Sequence, residues 1–278
     1  MGLGEIMTQP DHYLLGRSEA EEARLRRQIA HLAPDSDRQF ERIGIKPGER
    51  IFDIGCGPGG VLGLLAKRVG PSGSVLGIDR SPRFVELARR HVEDLALPQV
   101  KVQEGDAYDT KLPRRSFDGA HMRLVLVNVP EPERIVQEMV SLVRPGGWVA
   151  SFEADLNDHP FDPPLRESDR LLEAYMAYSA ARKVDLFVGR RLHRLFRAAG
   201  VIDIRVDAVV HIYPLGHDRR SIRRDFINNV REQMIDGGFI TRGELQDALA
   251  AIERHLADPN TQVTSALYYR LCGRIPAL

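Results

Sequence analysis

Cysteine is scarce in this sequence of 278 residues. Cys56 and Cys272 are the only two, and they lie far apart with no C-x-x-C spacing. This excludes a framework of several disulfides and a zinc site built on cysteine pairs. The sequence therefore predicts a protein of a reducing compartment, most simply the cytoplasm.

An excess of charge of either sign is also lacking. The chain has 39 Lys and Arg against 39 Asp and Glu, so its formal net charge is zero. Proteins that bind nucleic acids usually carry a net basic field, so no nucleic-acid partner is expected. No apolar run reaches the roughly 18 residues of a membrane-spanning helix, and the N-terminus lacks the pattern of a signal peptide. We therefore expect no membrane partner.

Short apolar segments alternate with helical patterns from residue 50 to residue 155. The segments RIFDI, SVLGID, VKVQEGD, FDGAHMRLVLVNV and WVASFEAD read as strands, and amphipathic stretches such as SPRFVELARRHVEDL separate them. Strands that alternate with helices are typical of βαβ units with right-handed crossovers. The pattern predicts an α/β fold with a doubly wound, mostly parallel sheet. Further strands are expected in DIRVDAVVHIY and SALYYRLCGRI.

Helical segments outside this alternation are predicted to cover the sheet. Residues 1–45 form an N-terminal helical segment, with a first helix capped by Ser18 and Glu21 and a second over Ser36–Ile43. The remaining chain, 46–278, is one domain. Helical insertions at about 156–188 and 215–260 are too short to be separate domains and are interpreted as a lid.

A glycine-rich loop follows the first predicted strand. Gly55, Gly57 and Gly60 have the G-x-G-x-x-G spacing of a nucleotide-binding turn, and Asp53 precedes them. A carboxylate beside a pyrophosphate costs about 1 kcal/mol or more at a partly buried site. A ligand with a cationic group and no phosphate avoids this cost. The loop thus favours such a ligand over a dinucleotide.

Two further acids follow the next two predicted strands. Asp79 ends the second strand, where an acid suits the hydroxyls of a ribose. Asp106 follows the third strand and is placed to accept a hydrogen bond from an exocyclic amine such as that of adenine. Together with Asp53, these acids at successive strand ends favour a nucleoside ligand that has a cationic tail and no phosphate.

The chain resembles the class I S-adenosylmethionine-dependent methyltransferases from about Lys46 to Val149. The resemblance rests on FDIGCGPGG, GIDRSP and the long stretch from EGDAYDTKLP to VRPGG. The later GRRLHRLFRAAGV is similar to the family's helix before the sixth strand, and YLLGRSEAEEARLRRQ to the start of a bacterial subgroup that acts on small molecules, some in natural-product pathways. The resemblance implies a Rossmann-like sheet of seven strands with an antiparallel last strand.

The resemblance also implies roles for the residues that match the family's cofactor motifs. Gly55 and Gly57 would pack under the methionine part of S-adenosylmethionine, with Asp53 near its ammonium group. Asp79 would hold the ribose. The other implied contacts are Arg80 beside the adenine, Asp106 and Ala107 at the adenine amine and ring, and the backbone carbonyl of Arg123 at the ammonium group. Tyr13 is placed to close over the cofactor, or else packs as a surface aromatic.

The sequence offers no decisive general base. Many small-molecule members have an acid or glutamine followed by histidine where this chain has Val127 and Asn128, so a histidine base is absent there. The candidates are Glu153 and Asp155 at the end of the fifth strand, Tyr13, His159 and His211. Of these, Glu153 or Asp155 is favoured for a contact with the substrate, against loop capping or ion pairing.

The remaining site predictions concern the substrate and metals. Asn128, Tyr175 and Tyr178 are candidate substrate contacts, although a tyrosine pair at helical spacing also suits a lid core. His121, amid apolar residues, is interpreted as a core residue. No set of clustered acids suggests a metal site.

The resulting prediction is a methyltransferase that uses S-adenosylmethionine and acts on a small organic molecule. Methylation of oxygen is favoured, with methylation of carbon close behind. The alternatives are an NAD-dependent oxidoreductase and a non-catalytic protein that binds an adenosyl cofactor. A homo-oligomer is compatible with a protruding N-terminal helix.

Overall fold

A seven-stranded sheet lies at the centre of the computed structural model, which describes residues 19–156 and 160–277. Its strands are β1 Arg50–Ile54, β2 Ser74–Asp79, β3 Val100–Glu104, β4 Phe117–Arg123, β5 Val143–Asp155, β7 Ile202–Val209 and β10 Leu267–Arg274. They are arranged in the order β3-β2-β1-β4-β5-β10-β7. Neighbouring strands from β3 to β5 are parallel, whereas β10 runs antiparallel to both β5 and β7. The predicted fold class is confirmed.

The strand order reverses between β1 and β4, and this reversal locates the site. In open α/β sheets, ligands bind beyond the carboxyl ends of the strands at such a point. Because β10 is antiparallel, its first residues lie at the same edge as the last residues of β5: Leu267 stands opposite Asp155. The site therefore draws on the end of β5 and the beginning of β10.

Helices α2 Leu62–Val69, α3 Pro82–Asp94, α4 Pro132–Leu142 and α6 Leu192–Ala198 accompany the strands of this sheet. Ser81 caps α3: its hydroxyl oxygen accepts a hydrogen bond from the N–H of Phe84. The apolar side of α4 packs against the sheet in one continuous cluster with residues such as Phe52 and Met122. Burial of these faces fixes the helices against the strands.

The N-terminal segment contains one helix, α1 Glu19–Ile43, where two were predicted. The second predicted helix begins at Ser36, just after Pro34, a residue that lies inside α1. The helix continues through this proline because residues on both sides of it, Leu32 and Phe40 among them, are fully buried. Their burial outweighs the lost backbone hydrogen bond. The predicted cap, Ser18 and the side chain of Glu21, lies outside the described residues.

A second layer of helices and a small sheet stand over the carboxyl edge. The helices are α5 Arg166–Ala181, α7 Ile222–Asp236 and α8 Arg242–Ala257, and the small sheet has the order β6-β9-β8, from Phe161–Asp162, Gln262–Thr264 and Ile212–Tyr213. This layer has its own apolar core. The sequence predicts one long strand over residues 203–213, whereas the structure divides it between two sheets. Strands of two or three residues are too short to show a periodic pattern.

A membrane-spanning helix is absent from residues 19–156 and 160–277: none there has both the length and the apolarity required.

Candidate active site

A cavity of about 260 Å³ opens at the carboxyl ends of β1, β2, β3 and β4. One end is formed by the glycine loop and the residues after β2 and β3. The other end is formed by α5, α7 and the start of β10, while α1 reaches both ends: Ile29 lies against Gly60, and Arg24 lies over the ring of Phe226. The residues that carry the argument below are Arg24, Gln28, Gly55, Gly57, Asp79, Arg80, Asp106, Ala107, Arg123, Asn128, Tyr175, Phe226 and Tyr268.

The glycine loop requires its glycines for two different reasons. Gly55 and Gly57 both have positive φ angles, 65° and 54°, which other residues rarely adopt. A Cβ added to Gly55 would stand 2.6 Å from a methyl carbon of Val125, which follows β4. A Cβ on Gly57 would meet nothing within 4 Å. Gly55 thus lets two loops approach each other, while Gly57 keeps backbone open to the cavity.

Asp79 and Asp106 are held in the cavity wall by backbone hydrogen bonds. The carboxylate of Asp79 accepts from the N–H of Gly57 at 2.9 Å and from the N–H of Ser81 at 2.8 Å. The carboxylate of Asp106 accepts from the N–H of Tyr108 at 2.9 Å. Because a carboxylate accepts about four hydrogen bonds, each can also accept from a ligand.

Asp53 does not line the cavity, contrary to the expectation that it adjoins the ligand. It is buried, and its Oδ1 lies 2.7 Å from Nδ1 of the fully buried His121. The interpretation of His121 as a core residue is confirmed. Asp53 therefore acts from behind the cavity wall, through its charge.

Arg123 is the cavity residue on which that charge acts. Burial lowers the pKa of Arg123 to about 10, while the negative charge of Asp53 opposes the shift. Its guanidinium lies against the start of α2, 2.6 Å from where a Cβ on Gly60 would stand, and donates a hydrogen bond to the hydroxyl of Ser36 at 3.0 Å. A half-buried cation thus stands beside the glycine loop and is tied to α1.

Comparison with known proteins assigns the family. Residues 51–147 match a model described as "Methyltransferase domain". A demethylmenaquinone methyltransferase from Geobacillus sp. (strain WCH70) is 31% identical over 199 residues, which cover 65% of this chain and 83% of that protein. The chain belongs to the S-adenosylmethionine-dependent methyltransferases.

Two other similarities are less complete. An uncharacterized 37.1 kDa protein in transposon TN4556 of Streptomyces fradiae is 39% identical over 182 residues, which cover 66% of this chain but only 51% of that protein. The structure of a phosphoethanolamine N-methyltransferase from Haemonchus contortus, in complex with S-adenosyl-L-methionine, has a TM-score of 0.55 at 19% identity and covers 87% of this chain and 52% of that one. At this identity the second similarity shows the fold alone.

The cavity of this methyltransferase suits its cofactor. Open backbone at Gly57, the fixed carboxylates of Asp79 and Asp106 and the guanidinium of Arg123 match a nucleoside whose amino-acid tail ends in a carboxylate. All the predicted contacts except Asp53 and Tyr13 line it: Gly55, Gly57, Asp79, Arg80, Asp106, Ala107 and Arg123. Their individual roles stay predictions, and Tyr13 lies outside the described residues. The NAD-dependent oxidoreductase does not fit the family.

The two acids at the end of β5 have structural partners instead of cavity positions. Glu153 accepts hydrogen bonds from the N–H groups of residues 125–127, at 3.0–3.2 Å, and so caps the 3₁₀ turn Leu126–Asn128. Burial raises its pKa to about 7, although these hydrogen bonds oppose the shift. Asp155 forms an ion pair with Arg190. Its carboxylate also accepts a hydrogen bond from the backbone N–H of Arg190 at 2.9 Å. Capping and ion pairing thus replace the favoured substrate contact.

The candidate His211 lies outside the cavity lining, and His159 outside the described residues. Nε2 of His211 stands 2.9 Å from a carboxylate oxygen of Asp35. Its ring is 4.6 Å from the ring of His31, which is 5.5 Å from that of His217. We call His31, His211 and His217 the histidine cluster. It joins α1 to the segment between β7 and α7.

The three predicted substrate contacts divide between cavity and lid core. Asn128 and Tyr175 line the cavity, with the amide of Asn128 donating to the carbonyl of Leu124 at 2.8 Å. Tyr178 is buried in the upper layer against Phe239 and is not part of the lining. The proposed substrate role of Tyr178 is thus replaced by core packing.

Among the cavity residues that the sequence reasoning missed, Arg24, Phe226 and Tyr268 matter most for the chemistry. Of these three, only Tyr268 could have been found from the sequence. An antiparallel last strand begins at the carboxyl edge of the sheet, so its first residues lie near the site. Arg24 and Phe226 come from α1 and α7, whose placement over the sheet depends on long-range packing. The described residues contain no group of three or more His, Cys, Asp or Glu that could hold a metal ion.

The histidine cluster predicts a pH dependence of stability. Burial lowers the pKa of His31 to about 4, and the charges of His211, Arg219 and His217 act in the same direction. Between pH 6.5 and 4 the unfolded chain binds a proton at His31 that the folded chain does not, so stability falls as the pH falls. Because His31 is partly exposed, we expect a loss of about 1–2 kcal/mol.

The measurement is urea unfolding at pH 7.5, 5.5 and 4.5 for the wild type and His31→Gln. The variant should lose less stability over this range than the wild type. Parallel losses in the two proteins would assign the pH dependence to other groups.

Proposed function

We propose that this methyltransferase acts on a small organic acceptor with an acidic hydroxyl group, a phenol, a hydroquinone or an enol. The chain's 31% identical relative is named for demethylmenaquinone, which supports an acceptor of the quinone type. The proposal rests mainly on the make-up of the cavity at its acceptor end.

Apolar and aromatic side chains form most of that end, among them Leu25, Val127, Val129, Phe226 and Ala266. The acids in the described lining are Asp79 and Asp106, both at the cofactor end, and the described lining includes no histidine. An acceptor with a weakly acidic group would find no carboxylate or imidazole there. The lining thus favours an acceptor that ionises readily.

Arg24 supplies positive charge at the acceptor end. It is 2% exposed, lies over the ring of Phe226 at 4.7 Å and donates to the side-chain oxygen of Gln28 at 2.7 Å. A guanidinium has five N–H donors, so it can also donate to an oxyanion. Its charge favours the ionised form of a phenol or enol.

The protein's contribution is orientation, exclusion of water and charge. S-adenosylmethionine, when bound, supplies an electrophilic methyl group on a sulfonium. The apolar walls hold a flat acceptor beside that group, and Arg24 stabilises its oxyanion. A phenolate or enolate is nucleophilic at oxygen and at the adjacent carbon. We expect oxygen to be the principal site, with carbon the second.

The test is methyl transfer from labelled S-adenosylmethionine to a panel of phenols, naphthohydroquinones and enols, with aliphatic alcohols and amines for comparison. Acidic acceptors should be methylated and the others should not. Arg24→Gln should lower kcat/KM for them by about 10-fold to 100-fold, because a hydrogen bond to a charged group contributes about 1.5–3 kcal/mol. Arg26→Gln, an exposed change on the same helix, is the control.

Two outcomes would contradict the proposal. Preferential methylation of amines would overturn the acceptor class. Tight binding of S-adenosylhomocysteine without transfer to any acceptor would favour the non-catalytic alternative.

A further inference from the structure

Tyr268 occupies an unusual place in the cavity wall. It lies near the start of β10, is 5% exposed, and also lines a smaller apolar cavity of about 60 Å³ beneath the upper layer. Its hydroxyl is 3.4 Å from Nη2 of Arg219. Arg219 is 2% exposed, and its Nε and Nη1 have no hydrogen-bond partner in the described part of the chain. A buried guanidinium thus faces the phenol oxygen of Tyr268.

Tyr213 lies behind Tyr268, away from the cavity lining. It is 1% exposed, and Tyr268 and Arg219 are close enough to affect the pKa of its hydroxyl. Its hydroxyl also stands 3.3 Å from Nε2 of His31. Burial raises the pKa of Tyr213, so its hydroxyl stays protonated and can pass a proton on only by accepting another.

His31 ends this series at the partly exposed histidine cluster. Its neighbours there are His211 and His217, with Asp35 and Arg219 beside them. Because its pKa is lowered to about 4, His31 is neutral near pH 7 and keeps a proton only briefly. The side chains of His211 and His217 are 24% and 30% exposed, so the proton has a short route to water.

We propose that Tyr268 takes the acceptor's proton and that Tyr213 and His31 carry it to solvent. The inference rests on the proposed function. The acceptor's O–H proton moves to the Tyr268 oxygen, the Tyr268 proton to Tyr213, and the Tyr213 proton to Nε2 of His31, which releases it to water. The acceptor's electron pair forms the new bond to the methyl carbon, and the pair of the broken sulfur–methyl bond stays on sulfur.

The other acids near the cavity are poorly placed for this step. Asp79 and Asp106 are fixed by backbone N–H groups at the cofactor end. Glu153 and Asp155 do not line the cavity and are engaged as a cap and an ion pair. On the acceptor side, the hydroxyl of Tyr268 lies beside Arg219 and next to the residues that lead to the histidine cluster.

The first experiment compares Tyr268→Phe with Tyr269→Phe. Tyr269 follows in the same strand, lies outside the cavity lining and packs toward Gly189, so it is a matched control. With an acceptor found in the panel, Tyr268→Phe should lower kcat by about 100-fold or more, the usual contribution of a general base. Its affinity for S-adenosylhomocysteine and the kcat of Tyr269→Phe should stay within about threefold of wild type. An unchanged kcat in Tyr268→Phe would overturn the proposal.

The second experiment needs no acceptor. In protein labelled with ¹⁵N-histidine, the Nε2 resonance of His31 should shift in Tyr213→Phe, which removes its partner, and in Tyr268→Phe, which removes the next hydroxyl. It should not shift in Tyr269→Phe. A His31 resonance unaffected by Tyr268→Phe would contradict the relay even if the enzyme were active.

The two proposals can therefore fail separately. Absence of transfer to every acceptor would contradict the proposed function while the His31 shifts still report on the relay. Normal transfer by Tyr268→Phe would contradict the relay while the function stands.

Discussion

Replacement of Asp79 by alanine should weaken the binding of S-adenosylhomocysteine at least about tenfold. Asp79 lines the cavity where β2 ends, and its position is fixed by the N–H groups of Gly57 and Ser81. Two ribose hydroxyls donating to one carboxylate would contribute about 1.5–3 kcal/mol each, and about 1.4 kcal/mol corresponds to tenfold in affinity. Isothermal titration calorimetry measures this change.

The same substitution also frees the glycine loop, so a control must separate the two effects. Adenosine and 2′,3′-dideoxyadenosine differ only in the ribose hydroxyls. The wild type should prefer adenosine by about tenfold or more, whereas Asp79→Ala should bind the two about equally. A variant that still prefers adenosine would show that another residue holds the ribose.

The parts of the fold that could be predicted are those with local signals. Apolar runs of five to eight residues mark β1, β2 and β4, and Ser81 with Pro82 marks the start of α3. Pro34 gave a misleading signal. Its local preference for a helix break is weaker than the burial of Leu32 and Phe40, which depends on residues far away in the chain.

The cofactor end of the site was predictable because each contact lies at a fixed offset from a strand end. Asp79 and Asp106 follow this rule. Asp53 lies within β1, and its side chain turns to His121 on the neighbouring strand. Side chains alternate between the two faces of a sheet, so a difference of one or two positions along a strand decides whether a residue meets the ligand.

The acceptor end could not be predicted in the same way. Arg24, Phe226 and Tyr268 come from three elements that are separated by up to 244 positions in the sequence. They meet only because the upper layer packs over the carboxyl edge. Tyr268, Tyr213 and His31 likewise lie on β10, β8 and α1. Their proximity could not be predicted, because no short sequence motif contains all three.

Replacement of Arg123 by methionine should weaken the binding of S-adenosylhomocysteine by about tenfold or more. The guanidinium of Arg123 stands beside the glycine loop, where the amino-acid tail of the cofactor is expected. A charge-assisted hydrogen bond to the tail's carboxylate would contribute about 1.5–3 kcal/mol. Methionine keeps most of the apolar length of arginine and removes only the charge and the donors.

The ligand 5′-methylthioadenosine distinguishes this role from a general effect on the cavity, because it has the nucleoside and sulfur but no amino-acid tail. Its affinity should be the same in the wild type and in Arg123→Met. Ser36→Ala removes the hydroxyl that holds the guanidinium at 3.0 Å and should cause a smaller loss for S-adenosylhomocysteine only. If Arg123→Met weakened both ligands equally, Arg123 would act by supporting the glycine loop. If it weakened neither, its charge would serve the acceptor, as we propose for Arg24.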